Sequence, residues 1–294
     1  MMNIIVCVKP VPDVNIITLN PKTGCIDNDD LVYIINPYDM AAIEVALIIK
    51  EKEHTNHITL VSVAPPSTKR LLRGGLAMGA DKAMLLWDSA LHNLDSYATG
   101  EILAKAIDTL QYDLILCGQK AIDTEAGQVS SIIAERLNLP LASRVTSIDI
   151  TPETKKTIIQ SKLEKGNRLE MEIILPAVLA VEADLDEPRY ASLPSLTAGL
   201  RSDIKEYDLA ALGLSKQELE QKRAMTRIVG LSTPKPRPKK VFTPDSSLTA
   251  EERLRLIMSG GITQKQGDKL EGDSEKIASH VVDFLIENKI ITEK

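Results

Sequence analysis

The residues best suited to chemistry lie in one stretch, Cys117-Gly118-Gln119-Lys120-Ala121-Ile122-Asp123-Thr124-Glu125-Ala126-Gly127-Gln128-Val129-Ser130-Ser131. A helix is expected from about Gly127 to Leu137, following an apolar run that ends at Cys117. Gly127 permits close backbone approach, and a helix start offers unpaired N–H groups and a positive dipole end, the requirements of a phosphate. Alone, such a turn is more often a plain strand-to-helix connection. Three further segments are expected at the same sheet edge: Val8-Lys9-Pro10-Val11-Pro12-Asp13, Asn36-Pro37 and Ser62-Val63-Ala64-Pro65-Pro66. Together they make a crevice for a nucleotide. Lys9 and Asp13 can contact a ligand there or form surface ion pairs.

Other chemistries find little support. There is no G-x-G-x-x-G after the first strand and no G-x-x-x-x-G-K-[ST] anywhere, which argues against a hydride-transfer dinucleotide site and a P-loop NTPase. His54, His57, His92 and His280 stand in polar or helical contexts, far from any nucleophile elbow, and read as solvated. No spacing of His, Cys or carboxylates suggests a metal. No catalytic residue is assigned; the chain reads as a nucleotide holder.

The positioning elements follow from the hydrophobic pattern. Ile4–Val8, Ile58–Val63, Met84–Trp87 and Leu114–Cys117 are short, nearly continuous apolar runs, as expected of parallel strands covered on both faces. Helices separate them. Asn36 precedes Pro37 as a capping residue and the helix runs to about Lys52; Ser67 can cap one ending near Gly79; Asp95 or Ser96 can cap one through Ile102 to Leu110. Alternating strand and helix with right-handed crossovers predicts an α/β fold, a doubly wound and mostly parallel sheet of Rossmann-like, nucleotide-binding type. Residues 157–175 form an added hairpin around Lys165-Gly166-Asn167, and Ala177–Glu182 a further strand. The expected division is a nucleotide-binding domain at 1–213 and a C-terminal arm at 214–294. The arm contains an extended Pro/Lys linker at 233–240, a capping box at Thr249 and Glu252, and a last helix whose apolar face is Ile277, Val281, Phe284 and Leu285.

Composition narrows the class. The chain has 294 residues, 44% apolar and 26% charged, with formal charge −6 and 3% aromatic residues. An acidic balance with few aromatics argues against nucleic-acid binding. The longest apolar run, Ile173–Val181, is about half the length needed to span a bilayer, so no transmembrane segment is expected. The start lacks an export-signal pattern, which points to a cytoplasmic protein. Cys7, Cys25 and Cys117 are too few for a disulfide framework; Cys7 and Cys117 end apolar runs and read as buried thiols.

These motifs, in this order, resemble the beta subunit of electron transfer flavoprotein from Met2 to about Leu214. The landmarks are Val8 to Asp13, Ile35-Asn36-Pro37, Ala77-Met78-Gly79-Ala80-Asp81, Gly118 to Val129, and Glu187-Pro188-Arg189-Tyr190-Ala191-Ser192-Leu193-Pro194. Two positions of the signature hairpin depart: Ser161 stands where the family has a cation, and Lys165 where it has glycine. The tail beyond Thr233 is longer than the common form. The resemblance implies a heterodimer with a homologous alpha subunit that carries FAD, and a second adenine nucleotide in the beta crevice. That nucleotide is AMP in simple carriers and FAD in those that split an electron pair from NADH.

Asp95-Ser96-Tyr97-Ala98-Thr99 and Ala126-Gly127-Gln128-Val129 look like the FAD-holding branch, so the resemblance favours FAD, with AMP as the alternative. The cofactor-binding candidates are Cys7, Val8, Lys9, Asn36, Val63, Ser96, Thr99, Gly118, Asp123, Thr124, Ala126, Gly127, Gln128 and Val129. Ser96 and Thr99 either hydrogen-bond a flavin or merely cap their helix. By the same resemblance, loop 186–196 docks an acyl-CoA-type or related dehydrogenase through Arg189, Tyr190, Leu193 and Pro194, with Leu193 as the apolar anchor; otherwise the loop packs on its own sheet. The arm after Gly213 would wrap the alpha subunit. Electron bifurcation would add NADH and a low-potential acceptor such as ferredoxin or flavodoxin. The runner-up function is an ATP-binding regulatory protein of the same fold. It needs a Gly/Ser-rich loop that Val8–Asp13 does not provide.

Overall fold

The computed structural model describes residues 1–17, 20, 26, 31–91, 94–151, 156–214, 225–226, 229, 244–258 and 272–287. Cys25, His92 and the Pro/Lys linker lie outside the described residues. The chain divides into two compact units, residues 1–233 and 234–294.

In the first unit, β1 (Asn3–Cys7) lies in the middle of a nine-stranded sheet. Its side chains alternate between two buried layers. Ile4 and Val6 face one, Ile5 and Cys7 the other, so an uninterrupted apolar run is what this position demands. After a short ribbon, β2 (Pro10–Pro12) with antiparallel β3 (Tyr33–Ile35), helix α1 (Pro37–Lys52) crosses to β4 (His57–Val63) beside β1. Helix α2 (Lys69–Met78) leads outward to β5 (Lys82–Leu86). Helix α3 (Ser96–Ile107) then carries the chain back across the sheet to β6 (Leu114–Gly118), on the opposite side of β1. The chain therefore reverses its direction of winding between β1 and β6, where an open α/β sheet leaves a crevice at the strands' carboxyl ends.

Helix α1 supplies Ile43 and Leu47, and α2 supplies Leu72, to the layer containing Ile4, Val6 and Leu60. Helix α3 supplies Ile102 and Ile107, and α4 (Val129–Leu137) supplies Ile133, to the layer containing Ile5, Ile115 and Val178. The sheet is doubly wound, as the pattern predicts. Beyond β6 come β10 (Ala177–Val181) and β7 (Leu141–Thr151), both parallel, then antiparallel β8 (Lys156–Lys162) and β9 (Arg168–Ile174), the expected hairpin, with Gln160 opposite Glu170. Strand β11 (Lys205–Tyr207) pairs with β5 at the other edge.

Several expectations need adjustment. Helix α4 begins at Val129, two residues later than expected, because Gly127 adopts φ +60° and cannot start a right-handed turn. Ser67 does not cap α2; it lies in a 3₁₀ turn, Pro66–Thr68, in which the Thr68 hydroxyl donates to the Pro65 carbonyl (2.7 Å). Asp95, not Ser96, caps α3 by accepting from the Ala98 N–H (2.9 Å). The sequence reading also missed α5 (Leu193–Arg201), capped by Ser192 and opening with proline at its second position.

In the second unit, α6 (Ala250–Met258) opens with the expected capping box. The Glu252 N–H donates to Thr249 Oγ1 (3.3 Å), and the Thr249 N–H to Glu252 Oε2 (2.9 Å). Helix α7 (Ser274–Glu287) carries Ile277, Val281, Phe284 and Leu285. Among the described residues, no helix is long and apolar enough to cross a membrane.

Candidate functional site

The carboxyl ends of β1 and β6 are tied together by the first turn of α1. Asn36 occupies the helix-capping position, yet its side chain makes no cap bond. It is 1% exposed and reaches across to the segment after β6: Nδ2 donates to the Lys120 carbonyl (2.9 Å) and Oδ1 accepts from the Ile122 N–H (3.2 Å). Pro37 at the first helical position explains why the helix still starts cleanly, since it has no N–H to satisfy. The expectation of a capping asparagine is therefore corrected to a cross-link between two loops.

Asp39, three residues beyond Asn36, makes the second tie. Its Oδ2 accepts from the Lys9 N–H (2.7 Å) and its Oδ1 from the Gly118 N–H (3.1 Å). Gly118 has to be glycine for this, because a Cβ there would lie 2.2 Å from Asp39 Oδ1. Burial pushes the Asp39 carboxyl up to about 7, against the opposing effect of its hydrogen bonds from Lys9, Asn36 and Gly118 and the Lys9 charge.

The loop from Gln119 to Gln128 is held at several points. The Gln119 N–H donates to the Val181 carbonyl (2.8 Å), and its Oε1 accepts from the Arg144 N–H (2.6 Å). Arg144 takes φ +55° at the start of the irregular β7 pairing, a strained setting for a side chain of its size. Lys9 Nζ pairs with Asp123 (2.7 Å) and lies 3.5 Å from Thr124 Oγ1. Of the two roles considered for Lys9, the ion pair is formed. Asp13 instead accepts from the Asn15 N–H (3.0 Å). Glu125 and Gly127 both have positive φ, +50° and +60°. Among the described residues, the N–H groups of Ala126, Gly127, Gln128 and Val129 donate to no protein acceptor. Consecutive donors left open at a helix start suit an anion.

Direct contacts thus bring together Lys9, Asn36, Gly118, Asp123 and Thr124, and the same loop continues through Ala126, Gly127, Gln128 and Val129. Cys7 and Val8 are buried at the end of β1. Cys7 lies against Cys117, whose thiol is pushed up by that contact and by burial. Val63 ends β4, one strand further out. Ser96 and Thr99 are in the first turn of α3, where the Thr99 hydroxyl donates to the Asp95 carbonyl (2.8 Å). No hydrogen bond joins either residue to the 119–128 loop among the described residues. Asp95 also accepts from the Thr226 N–H (2.9 Å) and hydroxyl (3.1 Å). Partial burial opposes its ionisation, but the bonds from Ala98 and Thr226 hold the carboxyl below its usual range. Asp39, Arg144 and Thr226 escape the sequence reading, and Gln119 enters it only as part of its loop. An aspartate in a first helical turn reads as a dipole complement, and nothing local reveals its partners.

In loop 186–196, Arg189 turns inward and Tyr190 and Leu193 outward. The Arg189 guanidinium pairs with Glu44 (2.7 Å) and Glu51 of α1, and its N–H donates to Glu44 (3.0 Å). Tyr190 is 99% and Leu193 77% exposed, and Pro194 is exposed beside them. Gly199 seats α5 against Arg73 and Ala77 of α2, where a Cβ would come within 2.8 Å of both. Leu196 and Leu200 remain exposed on α5 with Leu193.

The electron transfer flavoprotein domain model matches residues 23–212. The chain belongs to the electron transfer flavoprotein family, as a beta-type subunit. It is 38% identical to the electron transfer flavoprotein subunit beta of Thermoanaerobacterium thermosaccharolyticum, over 79% of this chain and 88% of that one. It is 37% identical to subunit CarD of the caffeyl-CoA reductase-Etf complex of Acetobacterium woodii, over 74% of this chain and 82% of that one. The beta subunit of Megasphaera elsdenii is 34% identical and spans 99% of this chain and all of its own length. That beta-type match therefore extends into the segment beyond Thr233. The family supports the electron-carrying reading over the ATP-binding regulator.

Proposed function

We propose that this electron transfer flavoprotein subunit holds FAD in the crevice at the ends of β1 and β6, pairs with an alpha subunit that holds a second FAD, and takes part in electron bifurcation. The observation that carries the nucleotide reading is the run of open N–H donors from Ala126 to Val129 beside the Asn36 and Asp39 ties. Bound there, FAD would supply hydride acceptance from NADH and one-electron transfer. This chain's residues would do the rest. The N–H groups of Ala126–Val129 and the Val129 helix start would hold the diphosphate, Lys9 would balance its charge, and Asn36 would keep the loop in register. Ser96 and Thr99 would face the flavin, with Ser96 as the donor, since the Thr99 hydroxyl is already engaged with the Asp95 carbonyl.

Tyr190, Leu193 and Pro194 form the proposed docking surface for an acyl-CoA-type or related dehydrogenase, and Arg189 fixes that loop to α1. The complex named for the Acetobacterium woodii relative, with a caffeyl-CoA reductase, supports a CoA-thioester partner. The C-terminal arm after Gly213 is proposed to embrace the alpha subunit. Ferredoxin or flavodoxin would be the low-potential acceptor.

The deciding experiment is nucleotide extraction from the co-expressed, purified heterodimer. Two FAD per complex is expected. One FAD and one AMP would reject bifurcation in favour of the simple carrier, and no adenine nucleotide beyond the alpha FAD would reject the crevice altogether.

A further inference from the structure

In an open α/β sheet the backbone donors at the switch point are the natural place for a phosphate. Here the donors at that point, the N–H groups of Lys9 and Gly118, are both taken by one carboxylate of the protein itself. Asp39 is 5% exposed, stands in the first turn of α1, and reaches Gly118 only because that residue has no Cβ. An uninterrupted run of open donors lies further along the loop, from Ala126 onward, among the described residues.

We propose that Asp39 is a positioning residue of the nucleotide crevice: its carboxylate occupies the switch-point donors as an internal anion, closing that point to phosphate and setting the 119–128 loop at the distance where the ligand's phosphates are held. The inference rests on the nucleotide reading above and adds to it the residue that decides where the phosphates go.

The chemistry makes the device sensitive to ionisation. A carboxylate accepts both N–H bonds, whereas a neutral carboxyl commits one oxygen to a proton and loses part of the tie. The ionisable groups that interact with Asp39 are the Lys9 ammonium just beyond β1, itself paired with Asp123 of the loop, and the Cys117 thiol on β6 with Cys7 against it. Of these, Lys9 favours the charged form. Nucleotide affinity should therefore weaken as the solution is acidified through neutrality.

The test uses the complete heterodimer, stripped of its beta-site nucleotide and titrated calorimetrically with FAD and, separately, AMP at pH 6 to 8. For Asp39→Asn, affinity at pH 8 is expected to fall about tenfold, the size of one charge-assisted hydrogen bond. The gap from wild type should narrow toward pH 6. Comparing the two proteins removes the ionisation of the ligand itself. An Asn variant that binds like wild type at pH 8 overturns the inference while leaving the crevice intact. A wild-type complex that takes up neither nucleotide there removes the parent reading and the inference together. Should the variant fail to assemble, the wild-type FAD profile decides: flat affinity between pH 6 and 8 overturns the proposal.

Discussion

Arg189 and Glu44 form an ion pair, 2.7 Å apart, across 145 residues of sequence, with the Glu44 carboxylate almost wholly buried beneath the loop it holds. The pair converts a Pro-containing surface loop into a fixed platform. Removing Arg189 leaves a buried charge without its partner, which is costlier than the net contribution of the pair. Arg189→Ala should destabilise the subunit by about 1–3 kcal/mol, and Arg189→Ala with Glu44→Gln by less than either change added to the other. Urea unfolding of the four proteins of this cycle measures it. Strict additivity would show that the pair carries no coupling.

Leu193 is the converse case, an apolar side chain 77% exposed at the head of α5. Truncating it removes almost no buried surface, so Leu193→Ala should alter stability by less than about 0.5 kcal/mol and leave nucleotide content unchanged. If Leu193 anchors a dehydrogenase, the same change should raise the half-saturating concentration in a coupled electron-transfer assay by about tenfold or more. Loss of nucleotide instead would place the loop in the fold rather than in docking.

The strands around the switch point were legible because burial on both faces demands unbroken apolar runs, as in Ile4–Val8 and Leu114–Cys117. Strand β7 was not, because residues Arg144, Thr146, Ser147 and Asp149 interrupt the run, and its pairing shifts register between Val145 and Ser147. The site showed the same division. Gly127 and the helix after it were visible from local rules. Asn36, however, reads as a cap, since nothing nearby in sequence shows that Lys120 and Ile122, over eighty residues away, compete for its amide. Asp39 was missed for the same reason. Its partners meet it only when β1, α1 and β6 have assembled.

Gly127 of the 119–128 loop and Gly118 at the end of β6 should respond differently. Gly127→Ala places a side chain at φ +60°, where the nearest atom, the Gln119 carbonyl oxygen, would be 3.3 Å away, so the cost is mainly conformational, about 1 kcal/mol. Gly118→Ala drives a methyl against Asp39 Oδ1 and Tyr38 Cβ, at 2.2 and 2.7 Å. It should cost at least about 2 kcal/mol and lose nucleotide as well, since the tie to β6 breaks. Thermal unfolding with nucleotide content separates the two, and equal behaviour would remove Asp39 from the account.

Asp39 also makes stability depend on pH, with a sign that can be worked out. Burial raises its carboxyl to about 7 in the folded chain, against 3.8 for an unperturbed aspartate, so between these limits the folded chain binds the extra proton. Its stabilising contribution is complete below about pH 4 and is lost as pH rises through 7, by at most about 4 kcal/mol. Asparagine cannot ionise. Relative to Asp39→Asn, wild type should therefore lose stability between pH 5 and 8, although nucleotide binding gains over the same range. The opposition is physical: ionising a buried carboxyl costs folding energy, yet only the ionised form holds both Lys9 and Gly118. Denaturant midpoints of the nucleotide-free complex at pH 5, 6.5 and 8 test it, and parallel curves for the two proteins would show that Asp39 is already ionised well below neutrality.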